Sequence, residues 1–216
     1  HRCWEQTLSR AIGAAYADRH PQGFDWVDRK VVINDAMQAA GSFQDEAGNF
    51  HYFQLDRDIE SKTNYTLSAY TLKGFTYLRG LGVSIPGDIY EDLQRNLATA
   101  LIEAGKQKEP IHASGISNET AATIAGALQD SAALKPEVLK MLWSHWDSLS
   151  WFARSELLVG MAKRPELADE VREGVIRLQR AGTSKGLRQI LDDRRDFSAY
   201  MGSGLRDQCA VTSALW

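Results

Sequence analysis

The chain has 216 residues, 44% of them hydrophobic and 25% charged, which is the composition of a globular protein with a substantial core. Its formal net charge is −3, with 25 basic and 28 acidic residues interspersed, so the sequence offers neither a basic stripe for nucleic acid nor a polybasic patch for an anionic membrane. It also lacks any apolar run near the ~20 residues that a membrane-spanning helix requires.

The first half of the chain has a helical pattern. Apolar residues recur three and four positions apart, in runs bounded by residues that commonly begin or end helices. After the second run, the turn residues 47–49 beside aromatic residues predict a short hairpin or extended loop up to about Arg57. The four predicted helices extend from Trp4 to about Asp18, from Asp25 to near Gly41, from about Leu67 to Gly82, and from Pro86 to Gly105.

Helices alternate with loops in the second half as well. Residues 106–115 are predicted to form an exposed loop. The helical pattern fades between residues 182 and 204, where a short strand is expected at about 187–191, and a last helix begins at about Leu205. Four further helices are predicted to begin at Ser117, Pro136, Ser150 and Pro165.

These elements predict an all-α fold. Helices of ~12 to 20 residues in antiparallel pairs, with small residues where the pairs cross and without an exact repeat, indicate an array of αα-hairpins. One or two short β-hairpins interrupt it. A single domain over residues 1–216 is expected. Because the chain begins His1-Arg2-Cys3 without a Met, we expect it to be a fragment of a larger, multidomain chain.

The start of the first helix carries a thiol and a carboxamide three positions apart, on Cys3 and Gln6. Residues i and i+3 lie on one helical face, so the sulfur and the side-chain carbonyl can meet after a modest backbone adjustment. If the Cys3 sulfur displaces ammonia from the Gln6 side chain, the product is an internal thioester, which stores an acyl group on a good leaving group. This pair is the candidate reactive site.

The residues around this pair form a specific motif. The run Cys3-Trp4-Glu5-Gln6-Thr7, with Ser9-Arg10-Ala11 behind it, resembles the thioester motif of the α2-macroglobulin and complement family, and most closely that of its bacterial branch. In that branch the motif usually reads Cys-Leu-Glu-Gln-Thr, so Trp4 replaces a Leu, and Arg2 replaces the customary Gly before the Cys. Both bond-forming residues are kept.

Two other parts of the chain carry the same resemblance. The run Gly204-Leu205-Arg206-Asp207 is similar to the Leu-Arg-Asp helix start of the bacterial thioester domain. Met37-Gln38 and the run from Tyr65 to Tyr70 are similar to its first helical hairpins. The resemblance implies that the hairpins curl into an α/α toroid. The ring is either trimmed or complete with helices that the pattern fuses, since about four and a half hairpins are recognised and the family's ring usually needs more.

The resemblance also implies a function, that of a thioester domain in a broad protease inhibitor. Cleavage of a bait segment elsewhere uncovers the thioester, and an amine of the protease is acylated. Gln6 is then the acyl donor, Cys3 the leaving group, and Glu5 a supporting motif residue that shapes the turn with Trp4. The reaction is used once, so the protein is not an enzyme. The implied partners are target proteases and other domains of the parent chain, the implied location is the bacterial periplasm, and no cofactor is implied.

Two other functions remain open from the residues alone. One is a toroid enzyme acting on glycans or isoprenoids, for which the acidic pairs Asp45-Glu46 and Asp192-Asp193 are candidates. Both pairs lie in predicted loops among charged residues, which favours solvated acids. The other is a noncovalent helical binding module in which Cys3 and Gln6 never react.

The remaining chemistry-bearing residues predict no further site. The five histidines show no metal-ligand spacing, so no zinc or other metal site is expected. The second cysteine, Cys209, is predicted to pack in the core as part of the last helix rather than to pair with Cys3. Five aromatic residues at helical spacing are predicted to be core rather than a carbohydrate-stacking surface: Tyr65, Tyr70, Trp143, Trp146 and Trp151.

Overall fold

The computed structural model describes residues 3–55, 63–106, 116–185, 188–191 and 204–215. Within these ranges the chain forms nine α-helices and one antiparallel pair of β-strands, so the predicted all-α fold with short β excursions is confirmed. No helix in these ranges is long and apolar enough to cross a membrane. The helices are α1 (Trp4–Arg19), α2 (Arg29–Ala39), α3 (Tyr65–Gly80), α4 (Gly87–Lys106), α5 (Asn118–Ala127), α6 (Pro136–Ser144), α7 (Trp151–Met161), α8 (Ala168–Arg180) and α9 (Gly204–Leu215).

Side-chain caps explain where three of the helices begin. At the start of α3, the side chain of Asn64 accepts a hydrogen bond from the backbone N–H of Leu67 at 2.9 Å. Ser117 and Ser150 play the same part for α5 and α7, with distances of 3.2 Å. These bonds satisfy N–H groups that a helix leaves unpaired in its first turn. The predicted helix starts at Ser117 and Ser150 are confirmed.

The start of α2 differs from the prediction. The sequence predicted a helix after Asp25, but α2 begins at Arg29, with Asp28 at its N-cap position. Two side-chain contacts hold the preceding residues in a connection instead. The indole of Trp26 donates to Asp28 Oδ1 at 2.7 Å, and the guanidinium of Arg29 donates to Asp18 Oδ1 of α1 at 2.7 Å. These bonds hold the residues between α1 and α2 in a non-helical connection.

The chain divides into two compact units, residues 1–99 and residues 100–216. In the first unit, α1 packs against both α2 and α3. The contact with α3 is close because it involves a glycine: a Cβ built on Gly74 would lie 2.9 Å from Leu8 Cδ2. Four buried aromatic rings form much of this unit's core, those of Trp4, Phe43, Phe50 and Phe75.

A short hairpin follows α2 in the first unit. Gln44 and Phe50 form an isolated antiparallel bridge, and between them Gly48 has a φ of +92°, a conformation that favours glycine. A Cβ on Gly48 would also lie 2.9 Å from the carbonyl oxygen of Asp92 in α4. The predicted hairpin is confirmed, while its expected end at Arg57 lies outside the described residues.

The second unit is built around α7, which packs against α5, α6, α8 and α9. Helices α5 and α7 approach closely at two glycines. A Cβ on Gly160 would lie 2.8 Å from the carbonyl oxygen of Ala125, and one on Gly126 would lie 2.9 Å from that of Glu156. Small residues therefore lie at this helix crossing, as predicted.

A β-hairpin follows α8 in the second unit. Strands β1 (Gly182–Lys185) and β2 (Arg188–Leu191) pair antiparallel, with Gly182 opposite Leu191. The short strand predicted at about residues 187–191 is confirmed. The region after residue 182, where the helical pattern fades, therefore contains a two-stranded antiparallel sheet.

Candidate functional site

The structure places Cys3 and Gln6 at two related positions of α1. Cys3 is the N-cap residue, with extended backbone angles of φ −78° and ψ 160°. Trp4 is the first helical residue, so Gln6 is the third. In a capping box, the side chain of the third helical residue folds back towards the N-cap residue. Cys3 and Gln6 therefore lie within one helical turn of each other.

Trp4 anchors the start of α1. Its side chain is fully buried, and its indole N–H donates to Thr71 Oγ1 of α3 at 2.8 Å. Its ring packs against those of Phe43 and Phe50, with centroid separations of 5.2 and 5.0 Å. Aromatic burial with a satisfied polar group is strongly stabilising. The first turn of α1 is therefore held in one place, although it lies near the start of the described chain.

The hairpin after α2 also holds this turn. The backbone N–H of Trp4 donates to the carbonyl oxygen of Tyr52 at 2.7 Å. The hairpin is itself held by His51, which is buried and whose Nε2 lies 2.8 Å from Asp45 Oδ2. The other carboxylate oxygen of Asp45 accepts the N–H of Asn49 at 2.8 Å. The sequence analysis missed this pair, for which the available signal was an acid and a histidine at the two ends of a turn.

The side chain of Cys3 is half-buried and lies beside a carboxylate. Its thiol donates a weak hydrogen bond to Glu5 Oε2, with Sγ and the oxygen 3.9 Å apart. The carbonyl oxygen of Cys3 accepts both the backbone N–H and the hydroxyl of Thr7, at 3.1 and 3.0 Å. The N-terminus of a helix carries partial positive charge, so α1 favours the negative charge that develops on a departing sulfur.

Gln6 is exposed and lines a groove of about 940 Å³ formed by α1, α2 and residues 43–55. The groove combines apolar surface, including the exposed ring of Phe53, with the carboxylates of Asp28 and Asp35. Arg10 lines the same groove, and its guanidinium lies 3.9 Å from Asp28 Oδ2. An incoming group can therefore approach the Gln6 side chain from solvent.

A tyrosine of α3 borders the same turn. The hydroxyl of Tyr70 lies 2.6 Å from Ser9 Oγ, which in turn donates to the backbone carbonyl of Glu5 at 2.7 Å. Burial raises the pKa of Tyr70 above its usual 10.0, while the Ser9 hydrogen bond lowers it and the nearby Glu5 carboxylate raises it. Tyr70 is therefore a neutral phenol at physiological pH and ties α3 to the first turns of α1.

The other predicted positions do not assemble into a second site. Asp45 is not simply a solvated acid as predicted, because it bonds His51 within the hairpin. The pair Asp192-Asp193 lies outside the described residues, as do His1 and His112. Where the structure is described, no group of three or more His, Cys, Asp or Glu side chains is placed to hold a metal ion. Of the aromatic residues predicted as core, Trp146 is buried, and Tyr65, Tyr70, Trp143 and Trp151 are partly exposed.

The prediction that Cys209 packs in the core was wrong, because this residue is exposed. Helix α9 turns a different face inwards, on which Asp207 and Val211 are buried. Asp207 accepts a hydrogen bond from the guanidinium of Arg206 at 3.0 Å, which makes its burial tolerable. Cys3 and Cys209 are both free thiols.

The whole chain is similar to solved structures of bacterial alpha-2-macroglobulins. The native Escherichia coli protein, determined by cryo-EM, matches with a TM-score of 0.73 and 21% identity, over 100% of this chain and 13% of that one. Salmonella alpha-2-macroglobulin reacted with methylamine matches with a TM-score of 0.76 and 18% identity, over 99% and 14%. A crystal structure of the Escherichia coli protein from domain MG7 to the C-terminus gives 0.72 and 20%, over 100% and 33%.

These similarities show the fold. The chain has the fold of the corresponding part of bacterial alpha-2-macroglobulins. The resemblance seen in the sequence is therefore confirmed for the fold. The helices are consistent with the expected α/α toroid. The chain matches no protein-family model and no curated protein sequence. It spans only 13% to 33% of the length of these three structures.

Proposed function

We propose that the chain is the thioester domain of a bacterial alpha-2-macroglobulin-like protease inhibitor, in which Cys3 and Gln6 form an internal thioester. The observation that carries the proposal is the start of α1. Cys3 occupies the N-cap, Gln6 is the third helical residue, and Trp4 between them is fixed by burial and two hydrogen bonds. A thiol and a carboxamide at these two positions lie within one helical turn, so they can meet after a modest backbone adjustment.

Formation of the bond is a condensation within the first turn. The sulfur of Cys3 attacks the side-chain carbonyl carbon of Gln6, the S–C bond forms, the C–N bond breaks, and the thiol proton leaves with the nitrogen as ammonia. A primary amine opens the bond: an N–C bond forms, the S–C bond breaks, and a proton from the nitrogen restores the thiol. Each thioester is used once, so the protein is a trap and not an enzyme.

The surroundings suit these two roles. Gln6 lines a groove that is open to solvent, and the carboxylates of Asp28 and Asp35 in that groove attract a cationic side chain. The sulfur of Cys3 is half-buried at the positive end of α1. On this proposal the attacking group is a lysine amine of a captured protease.

The similar structures support the proposal. The Salmonella protein was solved after reaction with methylamine, and the Escherichia coli protein after activation by trypsin and by porcine elastase. An amine is the reagent that opens a thioester, and a protease is the trigger that a protease trap requires. For this chain we propose the same kinds of partner, together with other domains of a larger parent chain and an extracytoplasmic, periplasmic location.

Covalent capture by the full-length protein tests this function. Incubation of the wild-type protein with trypsin should give a complex that survives denaturation, because the protease is joined by an amide bond to Gln6. Cys3→Ala should abolish that complex. Cys209→Ala is the matched control, because Cys209 is exposed on α9 and takes no part in the proposed bond. Capture by Cys3→Ala at the wild-type level would contradict the proposal and favour a noncovalent binding module.

A further inference from the structure

A carboxylate lies against the sulfur of the proposed thioester. Glu5 Oε2 is 3.9 Å from Cys3 Sγ, and Glu5 takes part in no ion pair among the residues that the structure describes. We propose that Glu5 is a catalytic residue that carries the proton between the attacking amine and the departing sulfur. This inference rests on the proposed thioester function and adds to it the residue that moves the proton.

The backbone of Glu5 is held from both sides. Its carbonyl oxygen accepts the hydroxyl of Ser9 at 2.7 Å, and that hydroxyl contacts Tyr70 of α3 at 2.6 Å. The preceding residue, Trp4, is fully buried. With the backbone fixed, only rotations of the Glu5 side chain move its carboxylate relative to the Cys3 sulfur, which favours proton transfer between them.

The reaction needs a group in this position. Amine attack gives a tetrahedral intermediate in which nitrogen and sulfur are bonded to the same carbon. The nitrogen must lose a proton, and the sulfur, which leaves as a thiolate, must gain one. A carboxylate that contacts the sulfur is also close to the nitrogen, so Glu5 can accept the proton from nitrogen and deliver it to sulfur. The N–C bond forms, the C–S bond breaks, and Glu5 ends as the carboxylate it was at the start.

Formation of the thioester uses the same transfer in the opposite direction. The Cys3 thiol must lose its proton as it attacks, and the departing nitrogen must gain one to leave as ammonia. In the structure the thiol already donates towards Glu5, which is the first half of this transfer. One carboxylate therefore serves both closing and opening of the bond.

The other polar groups of the turn are already committed. The Thr7 hydroxyl donates to the Cys3 carbonyl oxygen at 3.0 Å. Because the Ser9 hydroxyl donates to the Glu5 carbonyl, the phenol of Tyr70 is the donor in its contact with Ser9, and burial raises its pKa so that it stays protonated. Among these side chains, Glu5 supplies the carboxylate that can act as the base.

The test compares full-length variants by the rate at which hydroxylamine releases the Cys3 thiol. Glu5→Gln keeps the size of the side chain and removes its charge, so the rate should fall by about 100-fold. Glu5→Asp retains a carboxylate and should recover part of that loss. Glu137→Gln is the matched control, since it makes the same change at an exposed position of α6, and its rate should stay close to that of the wild type.

The pH dependence separates proton transfer from packing. Hydroxylamine ionises identically in every sample, so the ratio of the wild-type rate to the Glu5→Gln rate is free of amine ionisation. That ratio should fall towards one in acid, where a protonated carboxyl group and an amide are both uncharged. A ratio that does not change with pH would overturn the proton-carrier role, because a packing defect slows the reaction equally at every pH.

The remaining outcomes are distinguishable by intact mass. If the wild-type protein has its full sequence mass and releases no thiol, the thioester is absent and the proposed function itself fails. If the wild type has the bond and Glu5→Gln reacts equally fast, only the role of Glu5 fails. If Glu5→Gln never closes the bond while Glu5→Asp does, the proposal is supported, because closing needs the same transfer. If neither variant closes it, the charge is not what matters and the proposal is overturned.

Discussion

The start of α1 and the crossing of α5 with α7 are both tightly held, but by different kinds of contact. At α1, the fixed residue is Trp4, through aromatic packing and hydrogen bonds to the Thr71 hydroxyl and the Tyr52 carbonyl. At the crossing of α5 and α7, Gly126 and Gly160 let two backbones come closer than any Cβ would allow. Packing through small residues buries everything around the contact, whereas one large anchor leaves its neighbours in sequence available for chemistry.

This difference is visible in the exposure of neighbouring residues. Trp4 is fully buried, but Cys3 is half-buried and Gln6 is exposed, so reactive groups flank the anchor. In α7 the six consecutive residues Ala153–Leu158 are all buried. The first arrangement can hold a strained or reactive group at the surface of a rigid scaffold, and the second can only stabilise.

Removal of the α1 anchor should have the largest effect. Trp4→Ala deletes a fully buried indole and leaves the Thr71 hydroxyl without its donor, so we expect a loss of about 3–5 kcal/mol in the free energy of unfolding. Chemical denaturation of the chain measures this loss. Trp4→Leu keeps an apolar anchor and should cost clearly less. A loss below about 1 kcal/mol for Trp4→Ala would show that the first turn is not held through this residue.

Adding a side chain at the close contact between α5 and α7 should cost less stability than removing Trp4, and it should leave the reactive site untouched. A Cβ at Gly160 would meet the Ala125 carbonyl oxygen at 2.8 Å, so Gly160→Ala should destabilise the chain by about 1–3 kcal/mol. Gly80→Ala is the control, since a Cβ there meets no atom within 4 Å. Thermal unfolding compares the two variants. Equal stability of both would mean that the α5–α7 contact yields easily to a side chain.

Weakening the hairpin that follows α2 should have a smaller effect on stability, and it should also change the dynamics of the start of α1. His51→Ala removes the buried partner of Asp45, at a cost of about 1–2 kcal/mol, and loosens the hairpin that accepts the Trp4 N–H at the Tyr52 carbonyl. Hydrogen exchange at the Trp4 amide should therefore speed up. His145→Ala, at an exposed position, should leave that exchange unchanged. Unaltered exchange at the Trp4 amide in His51→Ala would show that the hairpin does not hold the first turn of α1.

The smallest effect concerns Tyr70 and appears only in alkaline solution. Because the pKa of Tyr70 is raised in the folded chain, its neutral phenol contributes stability that is fully present below the usual value of 10.0 and is lost as the pH rises through the raised pKa. Tyr70→Phe should remove this part of the alkaline destabilisation. Denaturation curves of both proteins on either side of pH 10.0 test it, and parallel curves would contradict it.

Sequence patterns predicted the features that depend on local chemistry. Ser117 and Ser150 begin helices because their hydroxyls cap the next turn, and the Cys3–Gln6 spacing is likewise a property of one helical turn. The start of α2 was predicted too early because Asp25 is a good cap in isolation, whereas the bond from Arg29 to Asp18 at the observed start of α2 requires α1 to be in place.

Features that depend on tertiary contacts were missed. The face of α9 was misassigned because Asp207 looks like a surface residue, yet it is buried with Arg206 as its donor and so turns Cys209 outwards. The His51–Asp45 pair was missed because an acid and a histidine at the two ends of a turn do not by themselves predict a contact. Likewise, the contact between Ser9 and Tyr70 spans two helices. Such pairs become visible only when α1, α3 and the hairpin are in place.

The measurement that tests the central claim most directly is peptide mass spectrometry of the full-length protein with a thiol reagent, before and after methylamine. The account predicts that the segment containing Cys3 and Gln6 is first lighter than its sequence mass by one ammonia and resists the reagent. After methylamine, Cys3 should be labelled and Gln6 should carry a methylamide. A segment at its full sequence mass, with Cys3 labelled from the start in freshly prepared protein, would contradict the thioester.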